Sequence, residues 1–177
     1  VLRGRITPDQ LLRAAELSDS FASGELRTTT TQGLIIVNVP ERHADTVARE
    51  MTAAGLPVAA SAFRRGAITC TGTEFCRLAI TETKTFARWL VEEMEDRMPG
   101  FEQHLKLHVT GCPNSCGQHW ISDIGIEGKK LKVDGKFVDA YYFCVGGAVG
   151  AFQAIARPLG YRCTATEVPA AVERLLQ

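Results

Sequence analysis

Two short stretches, CTGTEFC at residues 70–76 and TGCPNSCGQ at residues 110–118, hold four of the six cysteines of this 177-residue chain. Cys70 and Cys76 form one pair, Cys112 and Cys116 the other, and each pair stands in a glycine-bearing turn. Residues 77–111 lie between the pairs, enough for a helix and a strand that bring the chain back to its starting point. Four sulfurs can then meet at one place, and four thiolates around one centre mean iron–sulfur or zinc. The first pair, C-x5-C, is wider than the usual zinc knuckle. The C-x2-C-x2-C run of simple ferredoxins is absent. The spacing favours iron–sulfur and leaves a zinc-stabilised module open, beside the plainer reading of thiols with no metal.

Composition narrows the classes further. The chain is 45% hydrophobic, which supports a packed core. Lys plus Arg equals Asp plus Glu at 20 each, so no nucleic-acid partner is expected. No apolar run is long enough for a membrane span, and no signal peptide opens the sequence, so a cytoplasmic protein is expected. The opening VLRGRITPDQ, without a methionine, reads as an internal segment of a longer polypeptide. Six cysteines without a secretory signal fit a reducing compartment and metal ligation.

Working outward from the cysteines, the pattern predicts an α+β chain. Thr7-Pro8-Asp9-Gln10 carries a capping box and a proline at the first helical position, predicting a helix to about Phe21. ELRTTTTQGLIIVNV reads as two strands turning near Gln32-Gly33. Pro40-Glu41 opens a second helix carrying Val47, Met51 and Ala54, stopped at Gly55. Residues 1–62 thus form a small α+β unit. In residues 63–177 a strand from Phe63 to Thr69 leads to Cys70. A helix from Cys76 to Met98 places Ala79, Phe86, Leu90, Met94 and Met98 on one stripe. It also puts Cys76 at a helix N-terminus, where the dipole favours a thiolate. Further strands are expected at 104–109, 120–126, 131–133 and 137–145, with a hairpin turn at Asp134-Gly135. Thr166 caps a last helix through Leu176. Gly72, Gly111 and Gly117 let backbone N–H groups approach the sulfurs.

CTGTEFC and, further along the chain, TGCPNSCGQ together resemble the cluster motif of the siroheme-dependent nitrite and sulfite reductases. GRITPDQLLRAAELSDSFASGELRTTTTQ resembles the opening of that family's ferredoxin-like half-domain. SDIGIEG and a strand ending in VGG resemble the segment after its second cysteine pair. The resemblance covers nearly the whole chain. It implies a ferredoxin-like half-domain at 1–62, then a mixed-sheet 4Fe-4S and siroheme-binding domain with flanking helices at 63–177. It implies that Cys70, Cys76, Cys112 and Cys116 ligate one [4Fe-4S] cluster, with Cys116 shared as axial thiolate to the siroheme iron. Asn114 and Gly117 match positions packed against the macrocycle and cluster. The implied activity is the six-electron reduction of nitrite to ammonia or of sulfite to sulfide. TGTEFCRLAITETK sits closer to the nitrite reductases.

The resemblance also implies what this chain lacks. It matches the C-terminal, cluster-bearing half, so the N-terminal half is an expected partner, together with a ferredoxin or flavoprotein donor. The anion clamp belongs mainly to the absent half. Arg27, Thr29 and Gln32 match the family, but Thr31 stands where a second basic residue is usual, so no catalytic residue is assigned here. The isolated chain is expected to lack turnover. A [4Fe-4S] electron carrier without siroheme is the competing class.

Remaining residues receive quieter roles. Cys144, in an apolar strand, reads as a core thiol. Cys163 reads as a turn residue without a partner. His108 and His119 read as structural hydrogen-bonding groups, His43 and His104 as surface residues. Arg64, Arg65, Lys129 and Lys130 are candidates for siroheme carboxylates. Lys84 has no role legible in the sequence.

Overall fold

A computed structural model describes residues 4–177 and divides the chain into two compact units, Val1–Ala60 and Ser61–Gln177. Val1, on which the reading as an internal segment rests, lies outside the described residues.

In the first unit helix α1 spans Pro8–Phe21. Its start is fixed by the predicted capping box: Thr7 Oγ1 accepts from the Gln10 N–H, and Gln10 Oε1 accepts from the Thr7 N–H. Strands β1 (Leu26–Thr28) and β2 (Leu34–Ile36) form an antiparallel pair, and α2 covers Glu41–Ala53. Ala14, Leu17, Val47, Met51 and Leu56 make the core, with Leu26, Leu34 and Ile36 packed against it. Every element matches its sequence signal.

The second unit is built on a five-stranded mixed sheet whose strands lie side by side in chain order. Strand β3 (Ala67–Thr69) runs parallel to β4 (Leu107–Thr110), and β4 parallel to β5 (Ile124–Val133). Strands β6 (Lys136–Val145) and β7 (Arg157–Thr164) continue the sheet antiparallel. Parallel strands covered on both faces are buried throughout, and β3 and β4 are. A short helix, α3 (Ala62–Gly66), leads into β3. Helix α4 (Lys84–Arg97) presents Phe86, Leu90, Val91 and Met94 inward. Phe86 stacks on Tyr141 of β6 with ring centroids 4.2 Å apart. Helix α5 (Val168–Leu176) buries Val168, Ala171 and Val172, and its Glu173 pairs with Arg97 of α4.

The structure corrects several sequence expectations. The strand expected from Phe63 is mostly helix α3, because Ser61 Oγ caps it by accepting from the Arg64 N–H. The helix expected from Cys76 begins only at Lys84. The N–H groups of Ile80 and Thr81 both go to the carbonyl of Gly111, so the middle of the 77–83 stretch spends its donors on another segment rather than on helical bonds. Residues 104–106 stay outside β4, and 120–121 lie in a 3-10 turn rather than a strand. Strand β5 runs unbroken through Gly128, joining the two strands expected at 120–126 and 131–133. A Cβ there would lie 2.1 Å from Thr81 Oγ1 and 2.9 Å from the Gly111 carbonyl oxygen, so the glycine serves close approach. Cys163 belongs to β7, paired with Tyr141, rather than to a turn. The terminal cap is Thr164 with Glu167, not Thr166.

Candidate metal centre

Strands β3 and β4 are parallel neighbours with Thr69 opposite Val109. Cys70 comes directly after β3, and Cys112 lies two residues past the end of β4. Both cysteine turns therefore leave the sheet at the same, carboxyl-terminal edge, where open α/β sheets place their ligands.

Hydrogen bonds tie the turns together. The Cys70 N–H donates to Val109 O at 3.1 Å, and the Gly111 N–H donates to Cys70 Sγ at 3.1 Å. A backbone donor aimed at a sulfur is the kind of contact that orients a metal-binding cysteine. Thr83 Oγ1 donates to Cys70 O at 2.7 Å. Cys76 closes a tight 3-10 turn through its N–H to Gly72 O at 3.0 Å. Cys76 is thus not at a helix N-terminus, and the dipole argument for its thiolate falls. Gly117 sets the spacing of the two turns: a Cβ there would lie 2.3 Å from Val109 O and 3.3 Å from Cys70 N.

The second turn is held from behind by two histidines. Ser115 and Gln118 both adopt left-handed backbone conformations. Ser115 Oγ lies 2.8 Å from His119 Nδ1, and His108 Nδ1 donates to Gln118 O at 3.0 Å. Both rings are buried, and burial pushes both imidazoles below the ordinary histidine pKa. Glu127 Oε2 stands 3.2 Å from His119 Nε2 but off the line of a hydrogen bond. Glu127 Oε1 in turn meets Lys129 Nζ at 2.7 Å. His119, Glu127 and Lys129, with Trp120, Tyr142 and Cys144, line a cavity of about 240 Å³.

Of the expected ligands, Cys112 is buried, Cys70 and Cys76 are half-buried, and Cys116 is exposed. Asn114 is exposed and Gly117 buried within the same turn. None of the six cysteines is in a disulfide. Among the described residues no three His, Cys, Asp or Glu side chains are arranged for a single metal ion. A polynuclear cluster needs its ligands further apart than one tetrahedral ion does. Four unbridged thiols on two tied turns, one sulfur already receiving a backbone N–H, fit such a cluster. Cys144 and Cys163 sit in the sheet, where burial pushes both thiols up, Cys144 to about 11.

Other expected cations are already engaged. Arg64 binds Glu95, Lys129 binds Glu127 and Lys130 binds Asp139, while Arg65 is exposed. His104 is exposed, but His43 is half-buried against Phe21. Lys84, without a role in the sequence, is buried beside the first turn and donates to Thr69 O. Its signal is local: a lysine opening a helix runs against the dipole preference for acids there.

Comparison with known proteins places this arrangement. Residues 1–54 match the nitrite/sulfite reductase ferredoxin-like half domain, and residues 60–177 match the nitrite and sulphite reductase 4Fe-4S domain. The chain belongs to the nitrite/sulfite reductase family. The cofactors expected from the sequence, a [4Fe-4S] cluster and siroheme, are those of that family. The chain is 36% identical to an assimilatory ferredoxin-dependent nitrite reductase of Haloferax mediterranei, over 98% of this chain and 30% of that protein. It is 32% identical to sulfite reductase [ferredoxin] 1 of Mycolicibacterium paratuberculosis, over 98% of this chain and 32% of that protein. The NirA protein of Mycobacterium tuberculosis superposes with a TM-score of 0.94 at 30% identity, covering 99% of this chain and 33% of that one. The chain spans about a third of the length of these relatives. No helix among the described residues is long and apolar enough to cross a membrane.

Proposed function

We propose that this chain is the cluster-bearing part of a siroheme nitrite or sulfite reductase, with residues 1–62 as the ferredoxin-like half-domain and 63–177 as the cluster and siroheme domain. Cys70, Cys76, Cys112 and Cys116 would hold a [4Fe-4S] cluster. The observation that carries this is the Gly111 N–H to Cys70 Sγ bond, which joins the two cysteine turns at one sheet edge.

When bound, the cluster and siroheme supply stored electrons and a macrocyclic iron for six-electron reduction of nitrite to ammonia or sulfite to sulfide. The chain's own residues bind and orient. Cys112, buried, keeps water from its side of the site. Cys116, exposed at the turn's rim, would face the siroheme, and Asn114 and Gly117, in the same turn, would pack beside it. His119, through Ser115, and His108, through Gln118, fix the turn that presents Cys116. The relatives' names support ferredoxin as donor over a flavoprotein. Their greater length supports a partner half on the same polypeptide that supplies the anion clamp. The cysteine content supports a reducing, cytoplasmic setting.

The test is iron and acid-labile sulfide content with an absorption spectrum on anaerobically reconstituted protein, in parallel with Cys116→Ser. We expect about four iron and four sulfide per chain, diminished in the variant. Zinc without sulfide would overturn the reading, and ammonia or sulfide production by this chain alone would overturn the requirement for the missing half.

A further inference from the structure

Lys129, Glu127, His119 and Ser115 form one line of polar contacts that ends beside an expected cluster ligand. Lys129 Nζ meets Glu127 Oε1 at 2.7 Å, and Glu127 Oε2 stands 3.2 Å from His119 Nε2. On the other side of the ring, His119 Nδ1 lies 2.8 Å from Ser115 Oγ. Ser115 directly precedes Cys116, in the turn that also carries Cys112. At its other end the line borders the cavity of about 240 Å³, which His119, Glu127 and Lys129 help to enclose.

His119 is only 1% exposed, so a charge on its ring is costly. Burial and the Lys129 ammonium disfavour the imidazolium, while the Glu127 carboxylate favours it. The other titratable groups around the ring are few. His108 of β4 holds the same turn through Gln118 O, and Asp123, just before β5, is turned to the Lys106 N–H. Tyr142 and Cys144 of β6 line the same cavity, and Arg162 of β7 bonds the Tyr142 hydroxyl. A neutral imidazole has one N–H and can donate at only one of its two contacts, whereas the imidazolium donates at both. Glu127 and Ser115 therefore stand where a second ring proton would be held. Negative charge arriving nearby tips the balance towards that proton.

We propose that His119 takes up a proton as the cluster is reduced and holds it between Glu127 and Ser115, so that electron and proton reach the Cys116 turn together. This rests on the reading of Cys116 as a cluster ligand. One electron passes from a ferredoxin-class donor, which is oxidised, to the cluster. One proton from solvent water forms the second N–H bond of the ring, and the net charge of the site is unchanged. Reduction of nitrite or sulfite consumes protons along with its electrons, so a proton stored at this turn serves the reaction. His119 is a positioning residue, since it acts through Ser115.

The reconstituted chain is titrated electrochemically between about pH 5 and about pH 8, across the histidine range, and the reduced cluster is read by electron paramagnetic resonance. At a fixed potential the wild-type reduced-to-oxidised ratio should fall as pH rises, by up to about tenfold per unit, a shift of about 59 mV for one electron. His119→Gln should flatten this slope, and His108→Asn, altering the other buried ring, should keep it. Glu127→Gln removes a charge that favours the imidazolium, so the steep region should move to lower pH. Lys129→Met removes one that opposes it, so the steep region should move to higher pH. A residue that only props the turn would change iron uptake or stability and leave these pH profiles in place. If His119→Gln takes up no cluster, the opposite shifts in Glu127→Gln and Lys129→Met decide the matter. A flat wild-type profile, a slope that survives in His119→Gln, or shifts of the same sign in the two charge variants overturns the proposal. A wild-type chain that takes up no iron and sulfide overturns the ligand reading, and this proposal with it.

Discussion

The Gly111 N–H points at the sulfur of Cys70 from 3.1 Å, across 41 positions of sequence. The bond exists because β3 and β4 are adjacent and parallel, so that the residue after one strand meets the residue after the other. It makes Cys70 a fixed point of the site, whereas Cys116, exposed at the rim, is the accessible one.

Thiol labelling of the cluster-free chain should therefore order the cysteines. Cys116 should react first with iodoacetamide. Cys144 and Cys163, buried in the sheet with thiols pushed up by desolvation, should stay unmodified at neutral pH until unfolding. Mass mapping after timed quenching reads the order. Rapid labelling of Cys144 would contradict its placement. In the reconstituted protein Cys70, Cys76, Cys112 and Cys116 should all be protected together.

Gly117→Ala should disable the site by geometry. Its Cβ would sit 2.3 Å from a backbone oxygen, Val109 O, which cannot rotate away. Strand β4 or the second turn must shift, at a cost of about 2 kcal/mol. Lower thermal stability and lost iron uptake are expected together, measured by circular dichroism and iron assay. Wild-type values in both would show that the two turns are not packed at this spacing.

The candidate cysteines stand out in the sequence because their spacing is local information, and the structure adds that their two turns leave the same sheet edge. Helix α1 and the hairpin at Asp134-Gly135 were legible for the same reason: a capping box and a turn dipeptide specify backbone over a few positions. What escaped depended on distant partners. The stretch 77–83 has helical composition, but the N–H groups of Ile80 and Thr81 are claimed by Gly111, about thirty positions away. Strand β7 escaped because GYRC carries a turn-like glycine, and only pairing with β6 makes it a strand. The burial of Lys84 escaped because composition reads every lysine as solvated, and only packing against Thr69 says otherwise.

Acid should weaken the second unit through Arg64 and Glu95. The guanidinium grips the carboxylate with two bonds, at 2.7 and 2.8 Å, and Ser61 Oγ adds a third. These bonds, with Arg64 first, hold the Glu95 carboxyl below its ordinary pKa, although partial burial opposes them. A depressed carboxylate contributes stability that is full above the unfolded-state pKa and is lost as pH falls through the folded-state value. Glu95→Gln should cost about 1 kcal/mol at neutral pH, because the pair is only partly shielded from water. The difference from wild type should shrink below the ordinary glutamate range. Urea unfolding at pH 7 and at acid pH checks both statements, and a constant difference across that range would contradict them.

Tyr141 should behave as a phenol that does not ionise in the folded chain. It is 1% exposed, its ring stacks on Phe86, and its hydroxyl donates to Glu82 O at 2.9 Å. Burial pushes its pKa well above the ordinary tyrosine value. Of the three tyrosines, Tyr142 is half-buried and Tyr161 exposed, so an ultraviolet titration should leave Tyr141 silent until alkaline unfolding. Tyr141→Phe keeps the ring stack and strands the Glu82 carbonyl, which should cost about 1–2 kcal/mol. Glu82 also caps α4 through the N–H groups of Thr85 and Phe86, so the loss should extend to the head of that helix. Amide exchange at Thr85 and Phe86 should accelerate in the variant while exchange in α5 stays as it was. Equal acceleration in both helices would mean that Tyr141 supports the core as a whole rather than the segment that carries Thr83 and Lys84.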